Sequence, residues 1–325
     1  MMNKTVDFFL FFLFRAVGII FPMGKKRRSL TEIYSKYYSR TFKIDRLFFE
    51  GTTGFQKVHC FSNDFLGKAL FIDEKIQSAQ VDEFIYHESL VQPAMVTHPH
   101  PQDVLVIGGG EGATLREVLK HSSVRQVTMV DIDKKLIDIC REYLPEWSDG
   151  AFTDSRTDLI YMDARKFLKS VRRKFDVIIS DLTDPVERGT SVHLFTEEFF
   201  QEIKSSLKEK GQFVLQAGSI DPFFCQFFIL CSNTLETVFP VVQAYWTFVP
   251  SFALPWGFVL AAKSSSPSDT EPQVLESRLK TRNVRPLKFY HSRLHRAMFS
   301  LPLFLEEALH SDRILTDENP FVWEL

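Results

Sequence analysis

A chain of 325 residues with 45% apolar and 25% charged residues can bury a large core, and only 14 Gly and 15 Pro exclude collagenous and low-complexity architectures. Lys plus Arg number 39 against 41 Asp plus Glu, so a formal charge of −2 offers no basic excess for gripping nucleic acid. The four cysteines, Cys60, Cys140, Cys225 and Cys231, include no C-x-x-C pair, which points to a reducing, cytoplasmic setting and to neither a disulfide framework nor a zinc site.

Residues 1–40 read as an N-terminal extension. Phe8 to Phe21 is apolar and precedes Lys25-Lys26-Arg27-Arg28, but it is too short for the ~20 residues of a spanning helix and carries Arg15 in its middle. It is either an interfacial or partner-docking segment, with membrane contact the lesser option, or an extended reading frame ahead of Met23. Residues 41–98 form a small antiparallel β domain with a connecting helix. Phe55–Phe61 alternates, Asn63-Asp64 turns, Ala69–Asp73 returns, and Asp82–Met95 has helical spacing up to the proline cluster Thr97–Pro101.

From residue 99 to 263, apolar runs alternate with amphipathic stretches, the pattern of a parallel sheet covered by helices in a doubly wound α/β fold. Strands are expected at Asp103–Ile107, Gln126–Asp131, Thr157–Tyr161, Phe175–Ser180, Gly211–Ala217 and Gly257–Ala262. Helices are expected at Ala113–Lys120, Lys134–Tyr143, Ala164–Val171, Thr196–Ser206 and Pro222–Val238. Residues 264–325 read as a solvated linker, Ser264–Asp269, followed by helical segments packing on the catalytic unit.

The strand Val104–Ile107 runs into Gly108-Gly109-Gly110-Glu111-Gly112, a turn that lets backbone approach a ligand closely. Gly108-x-Gly110-x-x-Ala113, with Asp131 at the end of the next strand, suits either a dinucleotide or an S-adenosylmethionine-type nucleoside. The carboxylates at successive strand ends decide between them: Glu111, Asp131, Asp133, Asp163, Asp181 and Asp184 would share one crevice. Such a crevice repels a pyrophosphate and attracts a cation. Any one of these acids could instead cap a helix, Asp163 above all. In Asp181-Leu182-Thr183-Asp184-Pro185 the proline biases Asp184 away from helical geometry, so both acids project from a turn, which suits a polyamine.

With these motifs the chain resembles the aminopropyltransferases, the family of spermidine, spermine and thermospermine synthases, over about residues 40–325. The resemblance rests on Gln77, Asp82-Glu83-Phe84-Ile85-Tyr86-His87-Glu88, the glycine turn, Asp131-Ile132-Asp133, Asp163-Ala164, Asp181-x-x-Asp184-Pro185, and the tail Phe289-Tyr290-His291 with His295, Phe299 and Pro302. It implies an N-terminal β domain, a Rossmann-like catalytic domain of the S-adenosylmethionine-dependent transferase type, and a homodimer or homotetramer. It also implies transfer of an aminopropyl group from decarboxylated S-adenosylmethionine, as co-substrate, to spermidine or putrescine, with no permanently bound cofactor and no metal.

Carried over by residue, the resemblance implies that Gln56, Gly108, Gly110, Asp131, Ile132, Asp163 and Ala164 hold the nucleoside. Gln77, Tyr86, His87, Glu111, Asp184 and Trp246 would hold the amine, and Asp181 would accept its proton. Glu111 stands where many spermidine synthases have Asp, and Trp246 stands where animal spermidine synthases have an amine-site Tyr. Val186-Glu187-Arg188-Gly189 replaces a Gly-Pro pair, and Leu194-Phe195-Thr196 looks closer to thermospermine synthases. Other readings of the same scaffold are an S-adenosylmethionine-dependent N-methyltransferase and a non-catalytic polyamine-binding protein. His59, His98, His100, His121 and His310 read as surface or loop residues, and Phe223-Phe224 and Phe227-Phe228 as core or subunit interface.

Overall fold

The computed structural model describes residues 28–187, 189–309 and 313–323; Phe8–Phe21, Arg188 and His310 lie outside them. The chain opens with a hairpin of β1 (Ser29–Ser35) and β2 (Tyr38–Lys43), followed by a four-stranded antiparallel sheet of β3 (Arg46–Thr52), β4 (Lys57–Asn63), β5 (Gly67–Ile72) and β6 (Lys75–Ala79). Residues 29–40, assigned above to an extension, are thus β structure. Helix α1 (Glu83–Thr97) then leads through the prolines into β7 (Asp103–Gly108), α2 (Ala113–Leu119), β8 (Gln126–Asp131), α3 (Lys134–Tyr143), α4 (Pro145–Ser148), β9 (Thr157–Tyr161), α5 (Ala164–Ser170) and β10 (Phe175–Asp181). The chain continues with α6 (Glu197–Ser206), β11 (Leu207–Ser219), α7 (Gln226–Val238), β12 (Val241–Val249), β13 (Leu254–Ala262), α8 (Pro272–Thr281), α9 (Ser292–Met298) and α10 (Leu303–Ala308).

The seven-stranded sheet has the order β12-β13-β11-β10-β7-β8-β9. It is parallel from β11 to β9 and antiparallel at β13 and β12. This is the doubly wound architecture expected from the alternating pattern, and β7 beside β10 is its topological switch point. The expected strands and helices of this unit all form. Helix α7 starts at Gln226, four residues later than its pattern suggested, and β12 is an edge strand the sequence reading did not assign.

Successive residues of the sheet face opposite sides, as the pleat requires. Val104, Val106, Val127, Met129, Val177 and Ile179 pack toward α1 residues Leu90, Val91, Ala94 and Met95. Leu105, Ile107, Val130, Ile178 and Phe213 pack on the other side with Phe167, Phe199, Phe200, Phe227 and Phe228. Of the 33 phenylalanines of the chain, ten are buried in that second layer. Phe223, in contrast, is 88% exposed.

The small sheet is not an independent body. Its Phe61, Phe71 and Ile76 join the first core layer, while Val58, Cys60, Leu70 and Ile72 pack on Leu136, Ile139, Cys140 and Trp147 of the α/β unit. The proline cluster ends a helix, but the apolar core crosses it. Three histidines also differ from the sequence reading: His59, His98 and His121 are buried. His121 is hydrogen-bonded to Gln92 at 2.9 Å, and burial holds its pKa down at about 3, so it stays neutral. The stretch 264–269 is solvated only in part: Ser264, Ser265 and Asp269 are exposed, while Ser268 N–H donates to the Gln243 side chain at 2.8 Å and His295 is bonded to the carbonyl of buried Pro267.

Candidate active site

Backbone geometry at the switch point brings β7 and β10 together at the level of the chemistry. Gly108 pairs with Asp181, and Gly109 N–H donates to the Asp181 carbonyl at 2.8 Å. Gly108 has φ +78°, and a Cβ there would sit 2.3 Å from the Asp181 carbonyl oxygen. Only glycine allows that approach. A Cβ on Gly110 would in turn press to 3.1 Å from the Asp131 carboxylate, so the turn keeps open the floor between the two acids.

A cleft of about 550 Å³ runs across the carboxyl ends of the strands. Gln56, Gly108, Gly110, Asp131, Ile132, Asp163 and Ala164 all line it, as do Gln77, Tyr86, Glu111, Asp181 and Asp184. Strand order sets their sequence in space. Asp131 and Asp163 follow β8 and β9 toward one edge, and Asp181 and Asp184 follow β10. Gln216 and Trp256, on β11 and β13, wall the other end.

Asp131 is held by the Asp133 N–H, which donates to its Oδ1 at 2.8 Å. Burial raises its carboxyl from 3.8 to about 6, against that hydrogen bond, with the charges of Asp133 and Asp181 adding to the rise. Asp133 is spent structurally. Its Oδ1 caps α3 by accepting from Leu136 N–H at 3.0 Å, and its Oδ2 accepts from Thr53 and from the Gln56 side-chain amide, the latter at 3.0 Å. The β3–β4 turn is thereby clamped over the Asp131 end of the cleft. Asp163 does both jobs considered for it, capping α5 through Lys166 N–H at 2.9 Å while lining the cleft.

Asp181 receives Tyr86 O–H on Oδ1 at 2.7 Å and Thr114 O–H on Oδ2 at 2.6 Å, which fixes the carboxylate plane. Burial, then the Asp181 charge, push the Tyr86 phenol well above its ordinary range, so Tyr86 remains a donor. Asp184 accepts from the Gln216 amide at 3.0 Å, and burial raises its pKa.

His87 stands one layer behind the cleft wall. Its Nδ1 lies 3.0 Å from Glu83 and its Nε2 2.6 Å from Glu111, while Arg116 holds Glu83 at 2.8 Å. Burial opposes protonation, but Glu111 and Glu83 outweigh it and raise the His87 pKa to about 10. Charges therefore alternate along Arg116, Glu83, His87 and Glu111, ending in an acid that faces the cleft. The remaining acids of that motif act as clasps: Asp82 accepts from Ser251 N–H at 2.6 Å, and Glu88 from the N–H groups of Lys288, Phe289 and Tyr290 at 2.7–2.9 Å.

Trp246 is not part of this cleft. On β12 it pairs with Gly257, whereas its neighbour Thr247 pairs with Trp256. Paired residues share a sheet face and strand neighbours do not, so Trp246 points away from the face that Trp256 presents to the cleft. Its indole N–H donates to the Ser300 carbonyl at 2.9 Å, and the ring packs in the second core layer. The sequence reading also missed Glu32, Tyr34 and Lys75, which reach the cleft from the N-terminal hairpin and β6, and Phe224 and Phe252 beside them.

Comparison with known proteins agrees with this geometry. Residues 83–271 match the model of the spermine/spermidine synthase domain and residues 30–80 that of the spermidine synthase tetramerisation domain. This chain belongs to the spermine/spermidine synthase family. By class it is an aminopropyltransferase. A polyamine aminopropyltransferase of Sulfolobus acidocaldarius is 43% identical over 278 residues, covering 85% of this chain and 92% of the relative. Another, polyamine aminopropyltransferase 2 of Hyperthermus butylicus, is 40% identical over 281 residues, covering 86% and 91%. Among solved structures, a spermidine synthase in complex with the transition-state analogue AdoDATO superposes with a TM-score of 0.81 at 34% identity, covering 87% of this chain and 96% of that one. The spermidine synthase of Thermotoga maritima gives 0.80 at 34% identity, covering 88% and 95%.

Proposed function

We propose that this protein transfers the aminopropyl group of decarboxylated S-adenosylmethionine to spermidine or a similar polyamine, in the manner of a thermospermine synthase. The observation that carries this reading is the row of carboxylates, Asp163, Asp131, Asp181 and Asp184 with Glu111, along one cleft that crosses the switch point. Both reactants are cations, a sulfonium and an ammonium, and an acidic cleft binds both. The AdoDATO complex of the solved relative and the Leu194-Phe195-Thr196 sequence support the donor and the acceptor, respectively.

In this reading Asp131, Ile132, Gln56, Asp163 and Ala164 hold the nucleoside, the Asp131 carboxylate accepting from the ribose hydroxyls. Glu111, Asp184, Gln77 and Tyr86 receive the amine, with His87 positioning Glu111. An amine of pKa near 10 arrives protonated and has no lone pair with which to attack. Its proton passes to Asp181, whose oxygens each keep a lone pair beyond the one used by Tyr86 or Thr114. The nitrogen then forms a bond to the methylene next to sulfur, the carbon–sulfur bond breaks, and its electron pair neutralises the sulfonium as methylthioadenosine leaves. Alignment of nitrogen, carbon and sulfur in one cleft supplies much of the acceleration. Exposed Ile33, Tyr37 and Phe65, within the stretch matching a tetramerisation domain, support a homodimer or homotetramer.

The test is incubation of purified protein with decarboxylated S-adenosylmethionine and, separately, putrescine, agmatine, spermidine and norspermidine, with chromatography of the products. Methylthioadenosine together with thermospermine from spermidine is the expected result. Turnover of putrescine alone would refute the acceptor, and folded protein that makes no methylthioadenosine with any amine would refute the reaction.

A further inference from the structure

The acidic cleft contains a cation of the protein's own. Strand β6 is bulged: Phe71 pairs with Ile76 and Leu70 with Ser78, leaving Gln77 as the extra residue, so Lys75, Ile76 and Gln77 all reach the cleft wall. Lys75 is half-buried there. Its ammonium donates to the Ile33 carbonyl of β1 and lies 4.9 Å from the centre of the Tyr34 ring. Both contacts are to uncharged groups, and they fix the amine without neutralising it.

The surroundings are built and closed. Glu32 pairs with Arg40, whose guanidinium also donates to the Tyr34 hydroxyl and to the Ser251 carbonyl, the last at 2.9 Å. Tyr34 packs 6.0 Å from Phe224. The hairpin is therefore tied across the end of the cleft, and Lys75 sits inside that end wall. Burial lowers the Lys75 pKa, while Glu32 and Asp184 both act to keep it charged. The Lys75 charge in turn acts on Asp184, one of the acids proposed to meet the acceptor.

We propose that Lys75 determines acceptor specificity, its ammonium standing where the far ammonium of a long polyamine would lie. Acceptors that end before Lys75 keep the full attraction of Asp184 and Glu111, and a longer one brings like charge against like in a confined space. The inference rests on the amine-binding part of the function proposed above. It adds a length limit that the acidic residues alone do not set.

The experiment measures equilibrium binding of spermidine and of spermine, a tetraamine, to the full chain saturated with methylthioadenosine, alongside the turnover assay. In wild type spermine binds more weakly than spermidine. Lys75→Met, with Lys75→Gln as a second neutral variant, lowers the spermine-to-spermidine Kd ratio at least fivefold, while Lys75→Arg retains the wild-type ratio. Unchanged methylthioadenosine affinity shows that each variant is folded. A ratio in both neutral variants within fivefold of wild type overturns the inference even if wild type makes methylthioadenosine. A Lys75-dependent ratio in a protein without turnover upholds it and refutes the reaction instead.

Discussion

Replacing Asp131 by Asn separates what this side chain does for the fold from what it does for the ligand. The carboxyl rises from 3.8 to about 6 because burial penalises its charge. That gap corresponds to about 3 kcal/mol by which ionised Asp131 opposes folding. Since the folded pKa lies above the unfolded one, the penalty is complete above about pH 6 and fades as pH falls toward 3.8. Asparagine keeps an oxygen for the Asp133 N–H and carries no charge. Asp131→Asn is therefore expected to be more stable than wild type at pH 8, by up to about 3 kcal/mol, with the advantage shrinking as the pH drops below 6. The same variant should bind methylthioadenosine roughly 10–100-fold more weakly at pH 8, because hydrogen bonds to a charged acceptor are worth about 1.5–3 kcal/mol. Urea unfolding at pH 8 and pH 5, paired with calorimetric titration of methylthioadenosine, measures both. A variant that is less stable at pH 8, or that binds the nucleoside as wild type does, would refute the reasoning.

Asp181→Asn removes the proposed proton acceptor but leaves the nucleoside contacts in place, so kcat should fall by roughly 10²–10⁴ while methylthioadenosine affinity stays within a few-fold; steady-state kinetics with kcat within tenfold of wild type would exclude Asp181 from the mechanism. Gly108→Ala forces a Cβ to 2.3 Å from the Asp181 carbonyl at a positive φ. Denaturant unfolding should show a loss of at least about 2 kcal/mol, and wild-type stability would mean that the strands can part there without cost. Trp246→Phe should leave the KM for the amine unchanged, whereas Trp256→Ala, which empties part of the cleft wall, should raise it several-fold; the reverse pattern in initial-rate measurements would reinstate Trp246 in the site.

The legible part of this protein is the part where chemistry and backbone geometry coincide. Acids at strand ends, a glycine turn and an Asp-x-x-Asp-Pro segment could be placed on one crevice because parallel strands align their carboxyl ends. Long-range partners were not legible. Nothing local marks Asp133 as the acceptor for Gln56, 77 residues away, or Glu88 as the clasp of the Lys288–Tyr290 backbone. Trp246 was misplaced for a definite reason: with β12 unrecognised, no register was at hand to say which tryptophan faced the cleft. The hairpin was hidden differently, since Tyr38–Lys43 is polar and largely exposed, and such strands are recognised by their partners more than by their pattern.

The clamp between Gln56 and Asp133 bears on how the molecule behaves when it is empty. One side of that end of the cleft comes from a β-turn and the other from the α/β unit, so a nucleoside held there as proposed above would act as a rivet between them. At a hundred times its Kd such a ligand would add about 2.7 kcal/mol to the folded state. The small sheet would then become hardest to peel away when donor is plentiful, and its resistance to proteolysis would serve as a gauge of donor supply.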